Sequence, residues 1–278
     1  MTSMQEIETG NFASPLLGLF PPGSVRVLSW NINRGLKLQG VMEFLSRVRA
    51  DIILLQEVDV NARRSQHLNI AREISKKLRL NYVFGREFQE LTQGTRASPA
   101  FHGQATLSRW PLSGPRIIRF QQQSNFWRPR WFIPEINPFQ ERLGGRMALV
   151  SAASVAGKTI ITYNLHLESK GDDRLRGSQL QETMQDAGQY SANTPILLAG
   201  DFNLDASGGD IAAAISQAQF QDAFGNQHPA TTPDTLLEPG RAIDWIFLRG
   251  PVRPDQPQVC RSVSASDHYP LSTTLHFV

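Results

Sequence analysis

The stretch Leu198-Ala199-Gly200-Asp201-Phe202-Asn203-Leu204-Asp205 decides the fold, because an apolar run stops there at a carboxylate. A second stretch of this kind, Ser266-Asp267-His268-Tyr269-Pro270-Leu271, lies near the C-terminus. A buried strand that ends in polar side chains delivers them to the edge of a sheet, where ligand sites form. Two such edges predict a site at the place where they meet.

Three further segments have the same form: residues 25–31, 52–57 and 160–166. The polar side chains collected in this way are Asn31, Glu57, His166, Asp201, Asn203, Asp267 and His268. Carboxylate and amide oxygens are hard ligands suited to Mg²⁺, and imidazoles can transfer protons or face a phosphate. The set predicts hydrolase chemistry.

Seven short blocks in this order resemble the endonuclease/exonuclease/phosphatase superfamily of metal-dependent phosphoesterases, over residues 25–278. The blocks are Ser29-Trp30-Asn31-Ile32-Asn33, Leu55-Gln56-Glu57-Val58, Gly103-Gln104-Ala105-Thr106-Leu107-Ser108-Arg109, Asn164-Leu165-His166-Leu167-Glu168-Ser169, Gly200-Asp201-Phe202-Asn203, Ile243-Asp244-Trp245-Ile246 and Ser266-Asp267-His268. One block alone is a weak signal, whereas seven in family order are a strong one. The segment that begins at His166 is most similar to the tyrosyl-DNA phosphodiesterase and sphingomyelinase-like branches, and it departs from AP endonucleases, which lack this histidine.

Apolar side chains at helical spacing predict helices over residues 38–48, 67–80, 175–190 and 210–218. Strands are predicted over residues 25–31, 52–56, 82–84, 104–108, 147–153, 160–166, 196–199, 243–248 and 271–277. This mixed order, together with the resemblance, implies an α/β fold: a four-layer sandwich of two packed mixed β-sheets flanked by helices. The site is then expected in the cleft where strand ends of both sheets converge.

The length of 278 residues is close to the roughly 250–300 residues at which one core stops growing, so a single catalytic domain over residues 24–278 is expected. Residues 1–23, which end in Pro21-Pro22-Gly23, are predicted to form a leader arm. No apolar run approaches the ~18 residues of a membrane span, and no signal peptide is apparent, so a cytoplasmic location is expected. The lone Cys260 excludes an internal disulfide and a thiolate metal site.

An insertion rich in arginine and aromatic residues is predicted over about residues 116–146. Its side chains Trp127, Arg128, Arg130 and Trp131 form a possible substrate surface, because arginine pairs with phosphate and aromatic rings stack on bases. The same residue types suit a bilayer interface or a protein partner, and the aromatics can also pack back onto the domain. With a net charge of only +3, an anionic partner is permitted rather than demanded.

Glu57 follows an otherwise uncharged strand, where a carboxylate is costly to desolvate unless it meets a cation. It is therefore assigned to the metal, Mg²⁺ or Mn²⁺, and the resemblance implies that it is the principal ligand. Asp267 is expected to face the metal or a water bound to it, and Asn31 the metal, its water or a phosphate oxygen.

Asp201 and Asn203 alternate in sequence, so in an extended segment both side chains face one way. The resemblance implies that Asp201 orients or deprotonates the attacking water and that Asn203 donates to the phosphate. An Asx-turn is the alternative interpretation of this Asp-x-Asn spacing.

The resemblance also implies that His268 faces the phosphate and is oriented by Asp244. His166 matches the family histidine that stabilises the transition state or helps the leaving group, and Arg146 matches an arginine near the phosphate. Glu87, Glu90, His102 and His228 carry weak signals or none.

These expectations describe a Mg²⁺-dependent phosphodiester hydrolase in which water attacks phosphorus in line, and a nuclease or nucleic-acid phosphodiesterase is favoured. A phospholipid or inositol-phosphate hydrolase acting at a membrane surface is one alternative. A non-catalytic binding module is the other, disfavoured because no core polar position is lost. Nothing in the sequence indicates a protein partner, and a monomer is expected.

Overall fold

The computed structural model describes residues 6–14, 23–126, 142–155, 157–225 and 227–278. The strands are β1 Ile7–Gly10, β2 Val25–Asn31, β3 Ile52–Val60, β4 Asn81–Glu90, β5 Ala100–Ser108, β6 Leu112–Arg119, β7 Arg142–Gly144, β8 Met147–Val155, β9 Lys158–His166, β10 Ile196–Asp201, β11 Gln221–Asp222, β12 Asp244–Arg249, β13 Val252–Val259 and β14 Leu271–Phe277. The helices are α1 Leu38–Val48, α2 Ile70–Leu78, α3 Asp173–Ala187 and α4 Gly209–Gln217.

Within the described ranges these strands form two mixed sheets. The first has the order β1-β4-β5-β3-β2-β14-β13, with β7 paired to β4, and the second has the order β11-β12-β10-β9-β8-β6. The pairs β2–β3 and β9–β10 are parallel, and the other strand pairs are antiparallel. Parallel neighbours end at the same edge of a sheet, so each sheet brings two strand ends to the cleft.

Helices cover the outer face of each sheet. In α1 the apolar side chains Val41, Phe44 and Leu45 share one buried face and pack with α2 against the first sheet. Leu180 and Met184 of α3 pack in the same way on the second sheet, as does α4. None of the helices in the described residues is long and apolar enough to span a membrane.

The inner faces of the two sheets pack against each other. Val27 and Leu54 of the first sheet lie in one buried cluster with Leu197 and Ile246 of the second. Burying such a side chain contributes roughly 1.5–3 kcal/mol relative to leaving it exposed. Helix, sheet, sheet and helix therefore form four layers, as the sequence predicts.

Two buried amides also connect the sheets. The side chain of Gln56 on β3 donates to Asn164 Oδ1 on β9 over 2.8 Å. Asn164 Nδ2 in turn donates to the main-chain oxygens of Leu55 and Ala105, at 3.1 and 3.0 Å. Buried polar groups are costly unless paired, so this arrangement favours one alignment of the two sheets below the cleft.

The predicted leader arm is partly a strand of the sheet. Residues 7–10 form β1, which pairs antiparallel with the edge strand β4 from Ile7↔Gly85 to Gly10↔Tyr82. Glu8 accepts hydrogen bonds from the side chains of Asn69 and Tyr82. β4 extends to Glu90 instead of ending, as predicted, at Phe84. Its open edge supplies the backbone groups that pair with residues 7–10.

The predicted insertion is shorter than residues 116–146, because both of its ends belong to sheets. Arg116, on β6, pairs with Asp186 of α3, and Arg142, on β7, pairs with Glu90. These arginines therefore stabilise the domain instead of forming an open basic surface. Trp127, Arg128, Arg130 and Trp131 lie outside the described residues.

Candidate active site

The structure gathers the predicted polar residues at the strand ends of the cleft. They are Asn31 at the end of β2, His166 at the end of β9, Asp201 at the end of β10, Asp244 at the start of β12, and Asp267 and His268 in the loop before β14. In the second sheet Asp201 is directly opposite both His166 and Asp244. Asn31 donates through Nδ2 to Asp201 Oδ2 over 3.0 Å and so joins the two sheets within the site.

A glycine makes the end of β10 possible. Gly200, with φ +150°, lies so close to β9 that a Cβ atom would stand 1.9 Å from the main-chain oxygen of Leu165. Any side chain there would push β10 away from β9, and Asp201 with it. The close approach thus sets the distance between Asp201 and His166.

Asp201 is 1% exposed and lies between two imidazoles. Its Oδ2 atom is 3.6 Å from His166 Nε2 and 3.7 Å from His268 Nε2. Burial raises the pKa of Asp201 to about 6, against the opposing effect of His268. The carboxylate is therefore ionised at neutral pH and yet basic enough to accept a proton.

His268 is held by Asp244, as the resemblance implies. Its Nδ1 atom lies 2.9 and 3.1 Å from the two carboxylate oxygens of Asp244. Burial alone would lower the pKa of His268, but the carboxylates of Asp244 and Asp201 outweigh it and raise the pKa to about 10. His268 is thus an imidazolium at neutral pH, with its Nε2 directed toward Asp201.

His166, in contrast to His268, is neutral. Burial, reinforced by the charge of Arg146, lowers the pKa of His166 well below its usual value, so the ring is neutral. Its Nδ1 atom lies 4.0 Å from Glu87 Oε2, and neither atom has a hydrogen-bond partner among the described residues.

Asn203 does not lie in an extended segment, and that prediction is wrong. Its φ of +53° is left-handed, and its main-chain N–H donates to Asp201 Oδ1 over 2.9 Å, which is an Asx-turn. The Asn203 side chain donates to the main-chain oxygen of Leu167. The turn fixes the Asp201 carboxylate, and the two side chains do not form a pair facing one way.

Glu57 lies in the middle of β3 rather than at its end, which corrects a second prediction. The register of β3 and β5 shifts between Leu55 and Val58, and Glu57 has a φ of +53° at this bulge. A bulge turns a side chain out of the regular alternation. The Glu57 side chain is 21% exposed, and its Oε2 atom lies 3.6 Å from Arg34 Nε.

The residues around Glu57 fit a hard divalent cation. Burial alone would raise the pKa of Glu57. The nearby groups His102, Arg34 and His268 outweigh burial and lower the pKa below its usual value, so the carboxylate is charged. Asp267 lies close enough to oppose that ionisation, and a shared cation would relieve the repulsion between the two carboxylates. Asn31 Oδ1 already accepts from the Asn33 N–H and keeps one lone pair for a further contact. This oxygen-only donor set matches Mg²⁺ or Mn²⁺.

Two other groups bring possible ligand atoms within 4.8 Å of one another: Glu87, His102 and His166, and Asp201, Asp244 and His268. Each group already contacts a positive charge. Arg146 pairs with Glu87 at 2.7 Å, and His268 is itself the cation of the second group. The charges within these groups are therefore compensated without an ion.

Arg146, predicted to lie near the phosphate, contacts buried polar groups of the domain, and its role toward a phosphate stays a prediction. It is 2% exposed, and its guanidinium donates to Glu87 Oε1 over 2.7 Å and to Ser169 Oγ over 3.1 Å. Its Nε atom lies 3.8 Å from Glu168. Arg146 thus forms part of the wall behind His166, with its charge directed at buried carboxylates.

Sequence reasoning missed the residues of this wall. His102 on β5 directs Nδ1 at Asp59 Oδ1 over 2.8 Å, and Arg64 binds the same carboxylate and Glu90. The available signal was the pair of carboxylates Glu87 and Glu90 inside the mostly buried strand β4, since a buried carboxylate needs a nearby cation. Thr231 and His228, which contact Asp244, gave no signal because they lie in a loop of irregular sequence.

The chain is similar to known proteins over most of its length. The model of the Endonuclease/Exonuclease/phosphatase family matches residues 28–268. No curated protein sequence matches the chain.

Solved structures share the fold at low sequence identity. An endonuclease/exonuclease/phosphatase from Beutenbergia cavernae has 17% identity and a TM-score of 0.66, with 92% of this chain and 72% of that chain covered. TDP2 from D. rerio, humanized by 14 mutations, has 21% identity and a TM-score of 0.62, with 92% and 100% covered. A truncated TDP2 from Caenorhabditis elegans has 20% identity and a TM-score of 0.60, with 91% and 98% covered. The family match and the site geometry agree: the chain belongs to the endonuclease/exonuclease/phosphatase family of metal-dependent phosphoesterases.

Proposed function

We propose that this chain is a Mg²⁺-dependent phosphodiesterase that acts on nucleic acid through in-line attack of water on phosphorus. The observation that carries the proposal is the position of Asp201 between a cationic and a neutral imidazole, 3.7 and 3.6 Å away. A base, a fixed positive charge and a neutral hydrogen-bond donor are groups that assist hydrolysis of an anionic ester.

Glu57, with Asp267 and Asn31, would hold the divalent ion. When bound, Mg²⁺ or Mn²⁺ supplies positive charge that offsets the charge developing on the phosphate and the leaving oxygen.

The chain's own residues provide the other steps. Asp201 accepts a proton from the attacking water, and its Asx-turn with Asn203 and the amide of Asn31 keep it oriented. His268 keeps its charge and donates from Nε2 to a phosphate oxygen, because Asp244 holds its Nδ1. His166, being neutral, can donate a hydrogen bond from a ring N–H to a phosphate oxygen without adding charge, and the leaving oxygen takes its proton from solvent.

Nucleic acid is the proposed substrate class for two reasons. The blocks that include His166 and Ser169 resemble the tyrosyl-DNA phosphodiesterase branch, and TDP2 structures share the fold over more than nine tenths of this chain. The net charge of +3 is compatible with a polyanion. We further propose that Arg128 and Arg130 contact the nucleic-acid strand. The protein is proposed to be a cytoplasmic monomer.

One observation favours the phospholipid alternative. Leu236 and Leu237 are both fully exposed, adjacent in sequence, and lie in the loop that precedes β12. Apolar side chains that project into solvent can insert into a lipid surface. Asp234 and Glu238 flank the pair and weaken its attraction for anionic lipid.

A substrate panel tests the proposal. Single- and double-stranded DNA, RNA, 5′-tyrosyl DNA, sphingomyelin and inositol phosphates are each incubated with Mg²⁺ and with excess chelator. We expect metal-dependent cleavage of a nucleic-acid substrate, abolished in Glu57→Gln and kept in the matched surface variant Glu43→Gln. Full activity in chelator would exclude the metal requirement, and turnover of sphingomyelin alone would replace nucleic acid by lipid.

A second experiment tests the proposed strand contacts. Replacing Arg128 and Arg130 by Gln should raise KM for an oligonucleotide and flatten its salt dependence, because fewer counterions are released on binding. Turnover of bis-p-nitrophenyl phosphate should not change, since so small a diester does not need these contacts. An unchanged oligonucleotide KM, with loss of binding to anionic liposomes, would favour the membrane-surface alternative.

A further inference from the structure

Asp244 and His268 come from different sheets. Asp244 begins β12 of the second sheet, whereas His268 lies in the loop before β14 of the first. No backbone ladder joins β12 to β14 in the described residues, yet Asp244 and His268 stand at hydrogen-bond distance. A separate contact is needed to hold the loop of one sheet against the strand of the other.

Thr231 makes contacts to both sides. It is fully buried in the segment between β11 and β12, and its Oγ1 atom lies 2.6 Å from Asp244 Oδ2. Its main-chain oxygen accepts from the N–H of Tyr269, the residue after His268, over 2.7 Å. One residue therefore binds the carboxylate on β12 and the main chain beside the imidazole.

The direction of the Thr231 hydroxyl follows from its neighbours. The main-chain N–H groups of Ile243 and Asp244 both donate to Thr231 Oγ1, at 3.1 and 3.2 Å. Those two donors occupy the lone pairs of Oγ1, so the hydroxyl proton must point at an acceptor. Asp244 Oδ2 at 2.6 Å is nearer than Arg241 O at 3.2 Å, and its charge makes it the stronger acceptor.

His228 holds the main chain of Asp244. Its Nε2 atom lies 2.9 Å from the main-chain oxygen of Asp244, and its Nδ1 atom lies 3.3 Å from Asp222 Oδ2. The ring stacks on Trp245 with 3.7 Å between centroids. His228 and Thr231 thus both hold the main chain of Asp244, and Thr231 alone of the two also contacts its carboxylate.

We infer that Thr231 is a positioning residue for the Asp244–His268 pair: its hydroxyl orients the carboxylate, and its main-chain oxygen holds the histidine loop against it. The inference rests on the proposed function, since it concerns the same site. Without the hydroxyl, Asp244 Oδ2 loses one of its two donors and the carboxylate can rotate away from His268 Nδ1. The backbone contact to Tyr269 stays in any side-chain variant, so substitutions isolate the hydroxyl.

Three variants test this inference. Thr231→Val keeps the shape and removes the hydroxyl, Thr231→Ser keeps the hydroxyl, and Thr232→Val is the matched control, because Thr232 Oγ1 contacts Arg241 but not Asp244. We expect kcat to fall about 10-fold in Thr231→Val, as for other partners that orient a site residue, with KM unchanged. Thr231→Ser should stay within about threefold of wild type and Thr232→Val within about twofold.

A double mutant separates positioning from a general loss of stability. If Thr231 acts through Asp244, Thr231→Val should cost little more in an Asp244→Asn background. Losses that multiply, or a Thr231→Val rate equal to that of Thr232→Val, would overturn the inference. If Thr231→Val does not fold, Thr231→Cys, with a weak donor of similar size, takes its place.

The outcome is distinguishable from failure of the proposed function. An absence of diester turnover in the wild type would contradict the function but leave Thr231 testable by proton NMR of the metal-free protein. In that spectrum the His268 Nδ1–H, held by Asp244, should give a sharp downfield resonance in wild type and Thr231→Ser. The resonance should broaden or shift in Thr231→Val, and an unchanged resonance there would overturn the positioning role.

Discussion

The two imidazoles beside Asp201 lie at nearly equal distances from it but carry different charges. His268 Nε2 is 3.7 Å and His166 Nε2 is 3.6 Å from the same carboxylate oxygen. On the far side of its ring His268 meets Asp244 at 2.9 Å, whereas His166 meets Glu87 only at 4.0 Å. The carboxylate of Asp244 is directed at an imidazole, while that of Glu87 is already paired with a guanidinium.

The difference shows that burial keeps an imidazole neutral unless carboxylates directed at it outweigh the burial, as Asp244 and Asp201 do for His268. Against the effect of burial, Asp244 and Asp201 raise the pKa of His268 to about 10, whereas burial and the charge of Arg146 lower that of His166. One side of the site therefore offers a fixed charge for the phosphate, and the other offers a neutral ring that can only donate or accept a hydrogen bond.

The largest effect is expected from the carboxylate that both imidazoles face. Asp201→Asn should lower kcat about 10³-fold, because an amide cannot accept the proton of the attacking water. Steady-state kinetics on a small diester measure the loss, and the exposed Asp205→Asn is the control. A loss below tenfold would mean that Asp201 is not the base.

Removing the two rings separately should sharpen the comparison. His268→Ala and His166→Ala should each lower kcat about 10²-fold, but only His268→Ala should also raise KM, because it removes positive charge beside the phosphate. The KM values of the two variants show which imidazole supplies positive charge to the phosphate. A higher KM in His166→Ala alone would reverse the assignment.

The role of Asp244 predicts a smaller, dependent effect. Asp244→Asn should lower kcat by about 10-fold or more through His268, and the double variant with His268→Ala should be far from additive. A double mutant that shows the full product of both losses would contradict the pairing.

The pKa values predict the pH range of activity. Asp201 must be ionised, so kcat/KM should rise with pH through about 6, and His268 must be protonated, so it should fall through about 10. In Asp244→Asn the upper limb should move to lower pH, because His268 loses its main negative neighbour. If the upper limb does not move, the loss of activity at high pH does not arise from deprotonation of His268.

The smallest effect is expected from Glu87, which lies behind His166, and it concerns the pH dependence of stability. Burial raises the pKa of Glu87 from 4.5 to about 7, so the folded protein holds this proton more tightly than the unfolded chain. The contribution of Glu87 to stability is therefore lost as pH rises through this range. Relative to wild type, Glu87→Gln should lose less stability between pH 5 and 8 in urea unfolding. Parallel pH dependences would contradict the assignment.

Much of the fold follows from local sequence. The bounds of α1, β2 and β14 agree with the predicted ranges, because helical or strand periodicity there coincides with burial. The polar strand ends predicted the meeting of Asp201 with His166, since parallel neighbours end at one edge, and with His268, since strand ends of both sheets were expected to converge in the cleft.

The rest depends on contacts that local sequence does not encode. The bulge at Glu57 arises from a register shift against β5, and the turn at Asn203 closes on the carboxylate of Asp201. Arg146 and Glu87 are 59 positions apart, and only the pairing of buried charges in the folded chain joins them. Thr231 is likewise defined by the loop that packs between the sheets, not by a motif.

Ring-nitrogen NMR of the two histidines tests the central claim most directly. In the metal-free protein at neutral pH, with signals assigned through His166→Ala and His268→Ala, both ring nitrogens of His268 should be protonated and His166 should be neutral. Titration should leave His268 charged until pH approaches 10. Two neutral rings, or a charged His166 beside a neutral His268, would contradict the account.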